Sequence, residues 1–154
     1  MDDIDRALVA ALVADARTSY ADLARGVGLS SPSVLERVRR LERSGVLRGF
    51  TAVVDSAQLG LGVSALVAVH QREDAEQEDL ALDLAAVPEV EDCWSVAGEE
   101  AFVVKVRVAD VDALEATLGV LRRIPSVART RTTVVLSSRF EGRRRVPQAG
   151  DPGD

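Results

Sequence analysis

Five arginines, Arg37, Arg39, Arg40, Arg43 and Arg48, stand between Ser30 and Phe50 against only Glu36 and Glu42. A guanidinium pairs in parallel with two acceptors, so it suits phosphate oxygens or the edge of a guanine. Ser31 and Ser33 lie just before the first of these arginines and add hydroxyls that both donate and accept. The formal net charge of the chain is −6. From Glu73 to Asp92 there are many carboxylates and no basic residue. A chain that is acidic overall but carries one basic stretch is expected to touch a polyanion with one face only.

Other chemistries find little material. His70 is the only histidine and Cys93 the only cysteine, far apart, so no zinc spacing and no disulfide framework appears. No Ser-His-Asp or Cys-His arrangement is suggested. Gly60-Leu-Gly62 is too short for a phosphate loop and precedes a strand. His70 reads as structural or exposed, Cys93 as a small hydrophobe, and Trp94 as a core or interface residue. No metal and no cofactor is expected. Met1-Asp2-Asp3 is acidic where a secretory leader needs positive charge, and no apolar run is long enough to cross a bilayer. A cytoplasmic protein without membrane contact is the expectation. Lys105 is the only lysine, an arginine bias that points to a GC-rich bacterial genome.

The elements that would hold the basic stretch are helical. Ile4, Leu8, Ala11 and Leu12 recur at helical spacing behind acids that suit a helix N-terminus. Ser19-Tyr-Ala-Asp22 reads as a capping box for a second helix, with Leu23 and Ala24 turned inward and Gly28 at its end. Ser31 as N-cap and Pro32 in the first turn open a third helix that runs to about Ser44, before Gly45. Ala24, Gly28 and Val34 have the spacing of a helix-turn-helix. Val34, Val38 and Leu41 fall on one side of the third helix, which leaves Pro32, Ser33, Glu36, Arg39 and Arg40 on the other.

Ser33 and Glu36, with Arg39, are then candidate base readers. Arg40, Arg43 and Arg48 are candidate phosphate contacts. Ser31 and Arg37 complete the set. The competing reading is a solvated helix face: Glu36–Arg40 and Arg39–Arg43 both have the i,i+4 spacing of interacting positions, and of the two only Glu36–Arg40 joins opposite charges.

Phe50 to Val54 reads as a short strand in a linker over 51–60. Beyond it, strands over Val63–His70, Val90–Ala97, Phe102–Val108 and Val127–Leu136 alternate with helices over Glu76–Ala86 and Val111–Arg123. The fold class is therefore α+β: a three-helix helix-turn-helix domain over 1–50, then a ferredoxin-like βαββαβ domain over 61–140. Residues 141–154 read as a flexible tail. Two helices would cover one sheet face. The other face still carries apolar residues, so a homodimer through it is expected.

The sequence resembles the Lrp/AsnC, or feast/famine, family of transcription regulators. The matching stretches are Asp5 with Arg17, LARGVGLSSPSVLERVRRLERSGVLRGFTAVVD from Leu23 to Asp55, CWSVAGEEAFVVKV from Cys93 to Val106, and RRIPSVARTRTTVVL from Arg122 to Leu136. The resemblance implies double-stranded DNA as partner. It also implies dimers paired sheet to sheet, assembling further into tetramers or octamers. An amino-acid or related effector would sit between dimers, against the turn Gly98, Glu99, Glu100, Ala101 and Phe102. That turn departs from the family's Gly-Asp-Tyr-Asp pattern. Glu100 stands in the place of the aromatic and Ala101 in the place of the second acid. Two readings follow: an effector-responsive, sequence-specific regulator, or a ligand-independent architectural DNA-binding protein. An enzyme of similar two-domain look, a tetrapyrrole decarboxylase, would want more proton donors than one histidine and Tyr20 supply.

Overall fold

The computed structural model describes residues 1–144, 146 and 147. The described residues divide into two compact units: Met1–Val53 with those from Phe140 onward, and Val54–Arg139.

The first unit holds α1 (Asp3–Ala14), α2 (Tyr20–Val27) and α3 (Ser31–Arg43). Each starts on a residue able to satisfy free backbone N–H groups. Asp2 caps α1 in a reciprocal box: the Asp5 N–H donates to Asp2 at 2.8 Å and the Asp2 N–H to Asp5 at 3.4 Å. The box expected at Ser19 is only half formed. The Asp22 N–H donates to Ser19 Oγ, but the Asp22 carboxylate takes the Ser19 hydroxyl rather than its N–H. Gly28 ends α2 at φ 68°, a left-handed conformation that glycine adopts without the Cβ penalty. The cap of α3 is Ser30, not Ser31. Ser30 Oγ accepts from the Ser33 N–H, so Ser31 and Pro32 become the first two helical residues. Leu8, Leu12, Leu23, Ala24, Val34 and Val38 form one buried cluster, and Leu41 is buried below it on the same side of α3. The apolar stripe of α3 is thereby consumed, and its basic side is left outward.

The second unit is β1 (Val63–Gln71), α4 (Gln77–Ala85), β2 (Val90–Ser95), β3 (Phe102–Val108), α5 (Val111–Arg123) and β4 (Val127–Val135). The sheet is antiparallel throughout in the order β2-β3-β1-β4. This is the expected ferredoxin-like arrangement. Burial alternates strictly along β3, and Phe102, Val104, Val106 and Val108 pack with Val67, Val69, Leu80, Leu84 and Leu121 beneath the helices. On the opposite face Leu66, Val103 and Trp94 stand among Lys105, Arg107, Arg131 and Thr133 with no helix over them. Trp94 is 46% exposed there.

The linker corrects one expectation. Residues 51–60 contain no strand, only extended coil followed by a turn that Asp55 initiates by accepting from the Ala57 N–H. A strand needs a ladder partner, and Phe50–Val54 find none among the described residues; Val53 is fully exposed. Within the tail, residues 141–144, 146 and 147 are neither helix nor strand, and Arg145 and residues 148–154 lie outside the described set.

Candidate functional site

Helix α3 sorts its polar residues into two groups. Ser33, Glu36, Arg39 and Arg43 are exposed, with Arg48 beyond the helix end also exposed. Arg39 and Arg48 make no ion pair among the described residues. Arg43 donates to Glu36 at 2.8 Å, with both side chains more than 60% exposed, a surface pair of small energetic weight. The neighbouring Arg43 guanidinium holds the Glu36 carboxyl below its usual value. The anticipated Glu36–Arg40 pair does not form; the partner of Glu36 is Arg43, nearly two turns away.

Arg37 and Arg40 turn toward α1 instead. Arg37 donates to Asp2 at 2.6 Å and to Asp5 at 2.8 Å, and its side chain is only 25% exposed. Arg40 donates from one nitrogen to both Asp5 oxygens, at 3.0 and 2.8 Å, and stays half exposed. The Asp5 carboxylate is 4% exposed. It thus ties the N-terminus of α1 to the middle of α3. Arg37 is a brace between helices rather than an outward cation. Ser31 is half-buried in the first turn of α3. Sequence reasoning assigned the acids of α1 to the helix dipole. They do more than that: Asp2 and Asp5 lie 35 and 32 positions from Arg37, and only the packing of α1 on α3 brings them together.

A second feature lies on the uncovered face of the sheet. Leu66, Ala68, Val96, Ala97, Glu100, Val103, Arg131 and Thr133 surround a concavity of about 280 Å³. Its base is apolar. Its one charged pair is Glu100 with Arg131, at 2.9 Å. The Glu100 carboxyl is held below its usual value, first by its own backbone N–H and then by Arg131. The turn carrying Glu100 is pinned to β1: His70 Nδ1 lies 3.1 Å from the Glu99 carbonyl, and the Ala101 N–H donates to the Val69 carbonyl at 3.0 Å. At Gly98 a Cβ would come within 3.1 Å of Glu100 Oε2, so the absence of a side chain leaves room for that carboxylate.

Of the five turn residues named from sequence, only Glu100 lines the concavity. Glu99 points outward, 86% exposed, with Arg129 at 3.5 Å. Ala101 packs against the core, and Phe102, 5% exposed, belongs to the opposite, helix-covered face. Arg131 and Thr133 went unrecognised; they reach Glu100 and Leu66 only through the β1–β4 register. Among the described residues no group of His, Cys, Asp and Glu is placed to hold a metal ion. No described helix is long and apolar enough to cross a membrane.

Residues 1–42 match the AsnC-type helix-turn-helix domain, and residues 63–145 match the Lrp/AsnC ligand binding domain. The chain belongs to the Lrp/AsnC family. Its Lrp/AsnC relatives include the HTH-type transcriptional regulator LrpA of Mycobacterium tuberculosis, 42% identical over 147 residues that span 96% of this chain and 97% of LrpA. The leucine-responsive regulatory protein of Escherichia coli K12 is 35% identical over 149 residues, 95% of this chain and 91% of that one. Among solved structures, the feast or famine regulatory protein from M. tuberculosis complexed with L-methionine superposes with a TM-score of 0.89 at 42% identity, covering 95% of this chain and 99% of the other. As a member of the Lrp/AsnC family the chain is a transcription regulator, with a DNA-binding helix-turn-helix and a ferredoxin-like ligand domain.

Proposed function

We propose that this regulator binds double-stranded DNA sequence-specifically through the outward side of α3, and that a zwitterionic, amino-acid-like effector alters its assembly or its DNA affinity. Ser33, Glu36 and Arg39 would meet base edges; Arg43 and Arg48, with the exposed part of Arg40, would meet phosphates. Arg37 would not face the DNA, because Asp2 and Asp5 hold it against α1. The observation that carries the effector reading is the Glu100–Arg131 pair at the rim of an apolar concavity. A zwitterion can replace that single ion pair with two, ammonium on Glu100 and carboxylate on Arg131. Arg131 uses one nitrogen toward Glu100 and is 74% exposed, so donors remain for a second carboxylate. The L-methionine bound to the M. tuberculosis relative is a ligand of this class.

The concavity opens on the uncovered sheet face. A homodimer formed through that face, and its further association into tetramers or octamers, would close the site with residues of another copy. Ligand occupancy and assembly would then share one free energy. Such a regulator would act in the cytoplasm.

A thermal-shift panel of free amino acids tests the effector part. At least one amino acid is expected to raise the melting temperature of the wild type. Glu100→Gln is expected to weaken that ligand roughly tenfold or more by removing a charge-assisted hydrogen bond. If no amino acid stabilises the protein or changes its DNA affinity, the ligand-independent architectural reading replaces this one.

A further inference from the structure

The segment after the last strand carries cations that the helix-turn-helix reading leaves unused. Phe140–Arg144 group with the helical unit, not with the sheet unit that precedes them. The segment has local order. Gly142 adopts φ 63°, a left-handed turn, and this lets the chain fold Arg143 back over Phe140. The guanidinium carbon stands 4.7 Å from the ring centroid. Val146 is half-buried, although the segment forms no helix or strand. Arg143 and Arg144 are exposed and have no carboxylate partner among the described residues. Stacking on a ring uses the face of a guanidinium and leaves its N–H edges free, which orients Arg143 without neutralising it.

The charge state of α3 makes these cations matter. Asp2, Asp5 and Glu36 already occupy Arg37, Arg40 and Arg43. The reading helix therefore presents little uncompensated positive charge, and the whole chain is at −6. Duplex affinity depends on phosphate neutralisation, which Arg43, Arg48 and the exposed part of Arg40 supply only in part, so further cations on the same unit add to it. We propose that Phe140–Arg144 is a second phosphate-contacting element of the DNA-binding unit, with Arg143 and Arg144 as its cations and the Phe140 ring as the support for Arg143. The proposal rests on α3 being the DNA-reading helix.

The test is the salt dependence of binding, measured on the full chain with a duplex it selects and with a scrambled duplex. In R143A/R144A the slope of log K against log salt is expected to shrink by about 0.9 for each phosphate no longer neutralised, so by roughly 2 per subunit. Affinity for both duplexes should fall in parallel, roughly tenfold or more near physiological salt, with their ratio unchanged. R122A/R123A, the same charge change at the exposed end of α5, should keep the wild-type slope. All four side chains are exposed, so melting temperatures should match that of the wild type. An unchanged slope in R143A/R144A would overturn the proposal, as would an equal loss in the α5 control, which would make the effect one of net charge. If the wild type itself shows no salt-dependent duplex binding, the reading of α3 fails first and this element with it.

Discussion

Asp5→Ala is expected to lower the melting temperature of the helical unit by roughly 10 °C, the larger part of it from two arginines that lose their common acceptor. The Asp5 carboxylate is 4% exposed and takes hydrogen bonds from Arg37 and Arg40 as well as closing the α1 capping box. Breaking a fully buried ion pair on one side costs about 3–5 kcal/mol. Arg40 is half exposed and Arg37 a quarter exposed, so both regain water in the variant and about 2 kcal/mol remains. Thermal melts followed by far-ultraviolet circular dichroism at neutral pH measure this; a shift of only a degree or so would show that the brace contributes nothing.

Asp2→Asn serves as the comparison. Asparagine still caps a helix, so only the charge toward Arg37 is removed and the change should be small. The Asp2 carboxyl is held below its ordinary value, chiefly by the hydrogen bond from Arg37. Its contribution is therefore complete above the ordinary aspartate range and disappears as the pH falls through the lowered value. In Asp2→Asn the acid limb of the stability profile should be correspondingly flatter.

Arg39→Ala is expected to weaken binding to a selected duplex by roughly 10- to 100-fold, the range for removing one side chain that meets a base edge, alone or together with a phosphate. Arg39 is exposed and unpaired among the described residues, so stability and oligomer size should not change. That separation makes Arg39 a cleaner probe than Arg40, whose removal would also disturb Asp5. Electrophoretic shifts alongside sedimentation would register both quantities. Undiminished affinity would take Arg39 out of the interface.

Much of this architecture is legible in one dimension, because burial imposes periods. The alternation Phe102, Val104, Val106, Val108 marks β3 from end to end, and Leu114 with Leu121 marks the inward side of α5. Punctuation is legible as well: Gly28 and Gly45 stand where the backbone turns left-handed. The errors have identifiable causes. Ser30 and Ser31 are both competent caps and Pro32 tolerates either register, so local chemistry does not choose between them. Phe50–Val54 has strand composition but lacks a partner edge. Phe102 follows the alternation of its own strand, which places its side chain in the core. Arg37 with Asp2 and Asp5, and Arg131 with Glu100, depend on packing and strand register over more than thirty positions, and no short-range pattern encodes them.

The most direct trial of the outward α3 surface is enrichment from a pool of random duplexes. The wild type should recover a recurrent motif with two-fold symmetry, its half-sites about one helical turn of DNA apart, as two copies of α3 related by a dimer axis require. Glu36→Ala should alter the preferred bases within each half-site without changing their spacing. Recovery of no motif by the intact wild type, or of the same motif by a variant lacking Ser33, Glu36 and Arg39 together, would contradict the account.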